Sequence, residues 1–322
     1  MNLNSLSAGP ELSVVVPVFN EEDNIEPLYE AITSSLSDGS KSYEIIFVDD
    51  GSSDNTFGCA LRIANQDDRL KLIKFRRNFG QTPAMAAGID YANGNIIVTM
   101  DGDLQNDPRD IMTLVEHIHQ GSDLVVGWRH NRKDKLISRK IPSRIANWLI
   151  GKVTGVPIKD NGCSLKAYRA DLIKRVPLYS EMHRFIPAMS SLAGAKIAEI
   201  KVRHHARVHG ESKYGLSRIY KVLFDLISIK TITSFSSRSL RWFGLLSVPF
   251  AILAMITFTW AIWITVENGT TIMVAAGLAV IFGGGATFLL ICGVLSELIY
   301  KTGAVRPTDF FSSKQFDGGE RK

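Results

Sequence analysis

The sequence predicts an α/β domain on a mostly parallel sheet, then amphipathic helices at a membrane interface, then a two-helix transmembrane hairpin. Three observations carry this. Short apolar, β-branched runs alternate with helix-length segments over the first 130 residues. Acidic clusters follow three of those runs. Near the far end lie two charge-free stretches of 25 residues, Trp242 to Val266 and Ile272 to Ser296.

Taken in order, the strand-like runs are residues 12–18 (LSVVVPV), 43–48, 70–75, 96–100 and 123–127. Continuous apolar runs of this length suit strands buried on both faces. Helix-like segments fall near 21–37, 54–66, 81–92 and 108–119, with Asp107 as N-cap and Pro108 at the first helical position. Such alternation implies right-handed parallel βαβ units. A further strand is expected over 197–202. Hydrophobic content of 45% and charged content of 21% exclude a disordered chain. Three scattered cysteines, Cys59, Cys163 and Cys292, show neither disulfide nor metal spacing, which fits a reducing compartment. Residues 1–11 are polar and do not read as a signal peptide.

The chain is organised around Met100-Asp-Gly-Asp-Leu-Gln-Asn-Asp-Pro108. Two carboxylates one residue apart emerge where a strand stops, and open α/β sheets gather ligands at the carboxyl ends of strands. Like charges this close repel unless a cation lies between them, and oxygen ligands suit Mg²⁺ or Mn²⁺. A bare D-x-D is also an ordinary turn, so context decides. Strand one ends in Pro17-Val-Phe-Asn-Glu21 and strand two in Asp49-Asp50-Gly51, so three acidic clusters share one sheet edge. Arg76, Arg77 and Asn78 follow strand three and would add positive charge there.

The net charge of +5 is unevenly placed: residues 129–152 carry eight Lys/Arg, and 201–241 carry nine. These clusters flank membrane segments, which favours anionic lipid and phosphates over nucleic acid. Each 25-residue stretch exceeds a hydrocarbon core of roughly 30 Å at 1.5 Å per residue. Arg238 and Arg241 precede the first and Lys301 and Arg306 follow the second, so the positive-inside rule puts both termini and the large domain in the cytoplasm, at the plasma or inner membrane. The segments around residues 135–154 and 214–230 mix basic residues with apolar ones at helical spacing, as interfacial helices do. The expected division is a cytoplasmic domain over 1–213, an interface helix over 214–241, spans over 242–266 and 272–299, and a cytoplasmic tail over 301–322. Small residues at Gly283-Gly-Gly-Ala286 would let spans pack closely, which points to a homo-oligomer.

The strings VVPVFNEEDNI, VDDGSSDNT and MDGDLQNDP, in this order, resemble an inverting glycosyltransferase of the A-type fold. Gly127-Trp-Arg129 and Arg207-Val-His-Gly-Glu-Ser-Lys213 extend the likeness to the polyprenyl-phosphate glycosyltransferases, the dolichyl-phosphate mannose synthase branch. The two-span tail resembles bacterial members that load glucose or aminoarabinose onto undecaprenyl phosphate. The resemblance covers roughly residues 12–300.

The resemblance implies that Pro17, Phe19 and Glu21 wall the nucleotide and that Asp50 contacts base or ribose. It implies that Asp101, Asp103 and Gln105 hold Mg²⁺ or Mn²⁺ against the donor diphosphate, with Gly102 between the carboxylates in the cofactor site. Arg207 and Lys213 would clamp the same phosphates, and Arg129 would sit near the acceptor phosphate. Asp160 would orient the acceptor, act as a base, or only cap Ser164 onward. The implied donor is a nucleotide sugar, with UDP-glucose expected from the tail, and the acceptor is a polyprenyl phosphate such as undecaprenyl phosphate. A lipid phosphate is already anionic, so it needs little general-base help, and attack from the opposite face inverts the anomeric centre. Two alternatives remain. A processive polysaccharide synthase is weakened by only two spans and no Q-x-x-R-W string. A catalytically inactive membrane-anchored subunit would have no need of Asp101, Asp103, Arg207 and Lys213.

Overall fold

The strands come from residues that would be hard to place anywhere but in a sheet interior. Leu12–Val18 (β1) and Tyr43–Asp49 (β2) are buried along nearly their whole length, on both faces. A computed structural model describes residues 9–37, 42–130, 147–148, 150–152, 155–176, 178, 182–192, 194–206, 239–269 and 273–302. Arg207, Lys213, all but residues 239–241 of the interface helix expected over 214–241, most of the one expected over 135–154, and nearly all of the tail lie outside the described residues.

After β1 come α1 (Ile25–Ser37), β2, α2 (Thr56–Ala64), β3 (Leu70–Lys74), α3 (Gln81–Tyr91) and β4 (Ile96–Thr99). A 3₁₀ turn, Pro108–Asp110, leads into α4 (Ile111–His119) and β5 (Leu124–Arg129). Then follow β6 (Lys166–Arg169), α5 (Ala170–Ile173), a second 3₁₀ turn at Met182–Arg184, α6 (Ile186–Leu192) and β7 (Ile197–Val202). The seven strands lie in the order β3-β2-β1-β4-β6-β5-β7. All neighbours are parallel except β6, which runs antiparallel to both β4 and β5.

The pleat sends alternate side chains to opposite faces. Val14, Val16, Val18, Ile45 and Phe47 pack in one layer with Ile25, Leu28 and Ile32 of α1 and Ile111, Leu114 and Val115 of α4. Val15 and Val48 face α3, where a Cβ on Gly88 would stand 2.3 Å from Val15 Cγ1 and 3.0 Å from Val48 Cγ2. Glycine there lets the helix lie directly on the sheet. At the amino ends of the strands a buried polar lock closes the other side: Ser13 Oγ donates to Glu44 Oε1 at 2.6 Å, and Asn93 N donates to the same oxygen at 2.7 Å.

The reading from sequence differs in three places. Strand β6 was not expected, and neither were the short helices after it. The first helix begins at Ile25 rather than near residue 21, because Asn20 adopts φ 53° and its side chain accepts from Ser53 N at 2.8 Å, tying that loop to the one after β2. Asp107 does cap at Pro108, but the first turn is 3₁₀ and the α-helix starts at Ile111.

A second compact unit holds two 30-residue helices, α7 (Ser239–Asn268) and α8 (Met273–Thr302), both long and apolar enough to cross a membrane. They are apolar on every side, as lipid-facing helices are. Within the pair, Phe250 packs on Gly285 and Phe243 on Gly293. Thus the Gly283–Ala286 stripe serves the hairpin itself through Gly285, while Gly284 faces open space.

Candidate active site

Strand order reverses between β1 and β4: β2 and β3 lie on one side of that pair, the later strands on the other. Such switch points open a crevice at the carboxyl ends of the strands. Every sequence-predicted residue that the structure describes lies on a strand end or loop at this edge.

Asp101 and Asp103 follow β4 directly. Asp103 is 7% exposed. Asp101 Oδ1 accepts from Gln81 Nε2, at the start of α3, at 2.6 Å. It also accepts from the Ser164 hydroxyl, which itself takes Asn106 Nδ2 at 2.8 Å. Burial, and then the charge of Asp103, push the Asp101 carboxyl above its ordinary range. Ionising both is unfavourable unless a cation joins them. No cluster of three His, Cys, Asp or Glu gathers among the described residues. A metal here would therefore draw on two carboxylates, Gln105 and ligand oxygens, the sparse donor set from which Mg²⁺ is commonly bound.

Gly102 is required between them. A Cβ there would stand 2.8 Å from Val18 Cγ1 and 3.3 Å from Pro17 O, so the loop lies against the end of β1. Leu104 follows with φ 58°, a left-handed conformation uncommon for a branched side chain. The turn is held in a conformation its residues do not favour, which is common at binding sites.

Pro17, Phe19 and Glu21 are half-buried along the β1 exit. Glu21 N donates to Thr56 Oγ1 at 2.8 Å, and its carboxylate accepts from Asn24 Nδ2. Asp50 is 3% exposed and accepts Phe79 N at 2.7 Å and Gly80 N at 2.8 Å, one on each oxygen. It braces the loop after β3, and any contact with a base would be additional to that. On this loop the guanidinium of Arg77 lies 4.4 Å from the ring centroid of exposed Phe79.

Arg129 ends β5 with its side chain 13% exposed. Its Nε and Nη2 donate to the two oxygens of Asp160 at 2.7 and 2.8 Å. Burial works against the Arg129 charge, and the Asp160 carboxylate more than offsets it, leaving the guanidinium more basic than usual. The Asp160 carboxylate serves Arg129, while its backbone carbonyl accepts from Cys163 N at 3.2 Å. The Cys163 thiol is pushed up to about 11 by burial, so it is no nucleophile near neutrality.

Sequence reasoning missed Gln81, Ser164 and Lys166. Lys166 is 2% exposed, donates to Asn161 O and His183 O at 3.2 Å each, and is drawn down to about 8 by burial. Gln81 carries no signal that separates it from any glutamine at a helix start. Ser164 and Lys166 sit in Asp160-Asn-Gly-Cys-Ser164 and the strand after it, whose charges mask a buried strand.

A mixed sheet of this order, with paired carboxylates at its switch point, defines a glycosyltransferase of the A-type fold. The chain belongs to glycosyl transferase family 2, whose model matches residues 13–177. It is 44% identical to the dodecaprenyl-phosphate galacturonate synthase of Rhizobium johnstonii, over 91% of this chain and 88% of that one. It is 38% identical to the undecaprenyl-phosphate 4-deoxy-4-formamido-L-arabinose transferase of Edwardsiella ictaluri, over 76% of each chain. Among solved structures, glucosyl-3-phosphoglycerate synthase from Mycobacterium tuberculosis, crystallised with Mn²⁺, UDP and phosphoglyceric acid, aligns with TM-score 0.53 at 20% identity, over 70% of this chain and 78% of that chain. At that identity the likeness is one of fold.

Proposed function

We propose that the chain transfers a sugar, with inversion, from a nucleotide-sugar donor to a polyprenyl phosphate at the cytoplasmic membrane face. The observation that carries this is the Asp101–Asp103 pair at the switch point, with Asp101 made harder to ionise by burial and by its neighbour. Two helices able to cross a membrane, on the same chain, favour a lipid acceptor. So do the two polyprenyl-phosphate relatives.

Asp101, Asp103 and Gln105 would hold Mg²⁺ or Mn²⁺, which supplies positive charge against the diphosphate as it leaves. Pro17, Phe19, Glu21 and Gly102 would line the nucleotide crevice, with Asp50 bracing its far wall. Arg129, held by Asp160, would present a fixed guanidinium to the acceptor phosphate; Arg207 and Lys213 would supply further cations for the donor. No protein base is needed, because the acceptor oxygen is already anionic.

For the sugar, the two-span tail pointed to UDP-glucose, but 44% identity across nearly the whole length favours a uronic acid such as galacturonate. Purified chain would be offered undecaprenyl phosphate with radiolabelled UDP-galacturonate, UDP-glucuronate, UDP-glucose and a 4-amino-arabinose donor. Label should enter a chloroform-soluble product, fastest from a uronate and not at all with Asp103→Ala. Equal turnover of UDP-glucose would overturn the sugar assignment, and lipid product from Asp103→Ala in EDTA would overturn the site. A cysteine at residue 268 labelled only from outside the cell supports the proposed orientation, and labelling only from inside would reverse it.

A further inference from the structure

The segment after β7 lies on the loop after β4. His205 N donates to Gln105 O at 2.8 Å, and Gln105 Nε2 reaches back to His205 O at 3.4 Å. His204 and Asn106 form an isolated antiparallel bridge. Arg203 N donates to Asp110 Oδ2 at 2.6 Å. His205 Nε2 meets Asp107 Oδ2 at 3.1 Å, and the Asp107 side chain is only 5% exposed. Arg109 then His205 hold the Asp107 carboxyl well below the usual range.

We infer that His205 is a positioning residue: through Asp107 and the backbone pairing it holds Gln105 and the loop bearing Asp103 in place for the metal. The inference rests on the proposed function, which puts Asp103 and Gln105 at the donor's cation. Leu104, between those two, sits at φ 58°. A conformation of that kind persists only where the surroundings over-determine it, and His204 and His205 supply three attachments within three residues of Leu104, at Gln105, Asn106 and Asp107. Outer partners that orient ligands in this way are worth about ten- to a hundredfold in metal affinity.

The test is Mn²⁺ binding followed by electron paramagnetic resonance, on the full chain in detergent with saturating UDP, alongside thermal melting. His205→Ala should weaken Mn²⁺ binding about tenfold. His205→Gln, whose Nε2 can replace the imidazole donor, should stay within about threefold of the native protein. Arg109→Ala removes an exposed partner of the same carboxylate on the far side of the loop's own turn, and should also bind normally. If the alanine variant fails to fold, His205→Asn, too short to reach Asp107, should show the same loss. Native affinity in a folded His205→Ala or His205→Asn variant overturns the inference, as does a glutamine variant as weak as alanine. Absence of UDP-dependent Mn²⁺ binding by the native chain would instead overturn the metal site itself.

Discussion

Gly102→Ala tests the geometry of the carboxylate loop with a single methyl group. The new Cβ would stand 2.8 Å from Val18 Cγ1, 3.3 Å from Pro17 O and 3.7 Å from Val16 Cγ1. Carbon atoms pack at about 3.5–4.0 Å, so the first contact is short by roughly 0.7–1.2 Å. Something must move, and β1 is the stiffer side. Val18 is 2% exposed, β-branched, paired with Asp49 in register, and tied by its carbonyl to Asp50 N at 2.9 Å. The displacement therefore falls on residues 101–103. Overpacking of this size costs about 1–3 kcal/mol of stability. A shift approaching 1 Å at groups that must meet a metal and a diphosphate costs about a hundredfold in rate. Steady-state transfer into lipid product, with thermal melting of the same preparation, reads both quantities. A variant that stays folded, melting several degrees below the native protein, but loses most of its kcat is expected. An alanine variant within threefold of native kcat would refute the argument that close approach to β1 sets the carboxylates.

The other expectations concern charge. Asp160→Ala strands a buried guanidinium and should cost about 3–5 kcal/mol; Arg129→Met with Asp160→Leu should recover much of the melting temperature without restoring transfer. Glu44→Ala removes the acceptor of Ser13 Oγ and Asn93 N at the amino ends of the strands. It should lower stability by about 2–3 kcal/mol in urea titrations and leave kcat unchanged. Asp67 is held well below the carboxylate range, first by its hydrogen bonds from Arg69. Because the unfolded chain binds that proton at higher pH, the stability it contributes is present above about pH 4 and lost as pH falls further. Asp67→Asn should therefore flatten acid unfolding below about pH 4, and an unchanged acid limb would rule this carboxylate out as its source.

What could be read in advance follows from where the chain's signals are local. The five N-terminal strands are apolar runs closed by polar turns; β1, β2 and β4 are buried along nearly their whole length, with Ser13 and Glu44 satisfying each other, while β3 at the sheet edge carries Lys71 and Lys74 and is only half-buried. β6 escaped because Lys166-Ala-Tyr-Arg169 carries two cations in four residues, yet three of the four are buried. Its lysine is satisfied by two carbonyls far from it in pattern terms, and only tertiary structure shows that. The carboxylates of the site were legible as residue types at strand ends, but their partners were not. Asp50 binds backbone N–H groups of Phe79 and Gly80, and backbone groups have no sequence signature. The pairing of His205 with Gln105 likewise joins positions 100 residues apart.

The antiparallel strand explains how the buried polar groups came to lie under the site. A parallel β6 would bring its carboxyl end to the crevice and its amino end to the opposite edge. Because β6 runs the other way, pairing Lys166 with Thr99 at the end of β4, it is its entry that falls at the active edge. The loop Asp160–Ser164 is delivered there with it: Asp160 to Arg129, Ser164 to Asp101 and Asn106. Lys166 follows at once, inside the sheet, where burial draws its pKa down to about 8 yet leaves it mostly charged at neutral pH. That charge lies near enough to Asp101 for each to favour ionisation of the other. Burial and Asp103 oppose ionisation of Asp101; Ser164, Arg129 and Lys166 favour it, and the first pair prevails. The fixed cations thus reduce the repulsion within the carboxylate pair without cancelling it, which leaves the pair able to gain from a further positive charge.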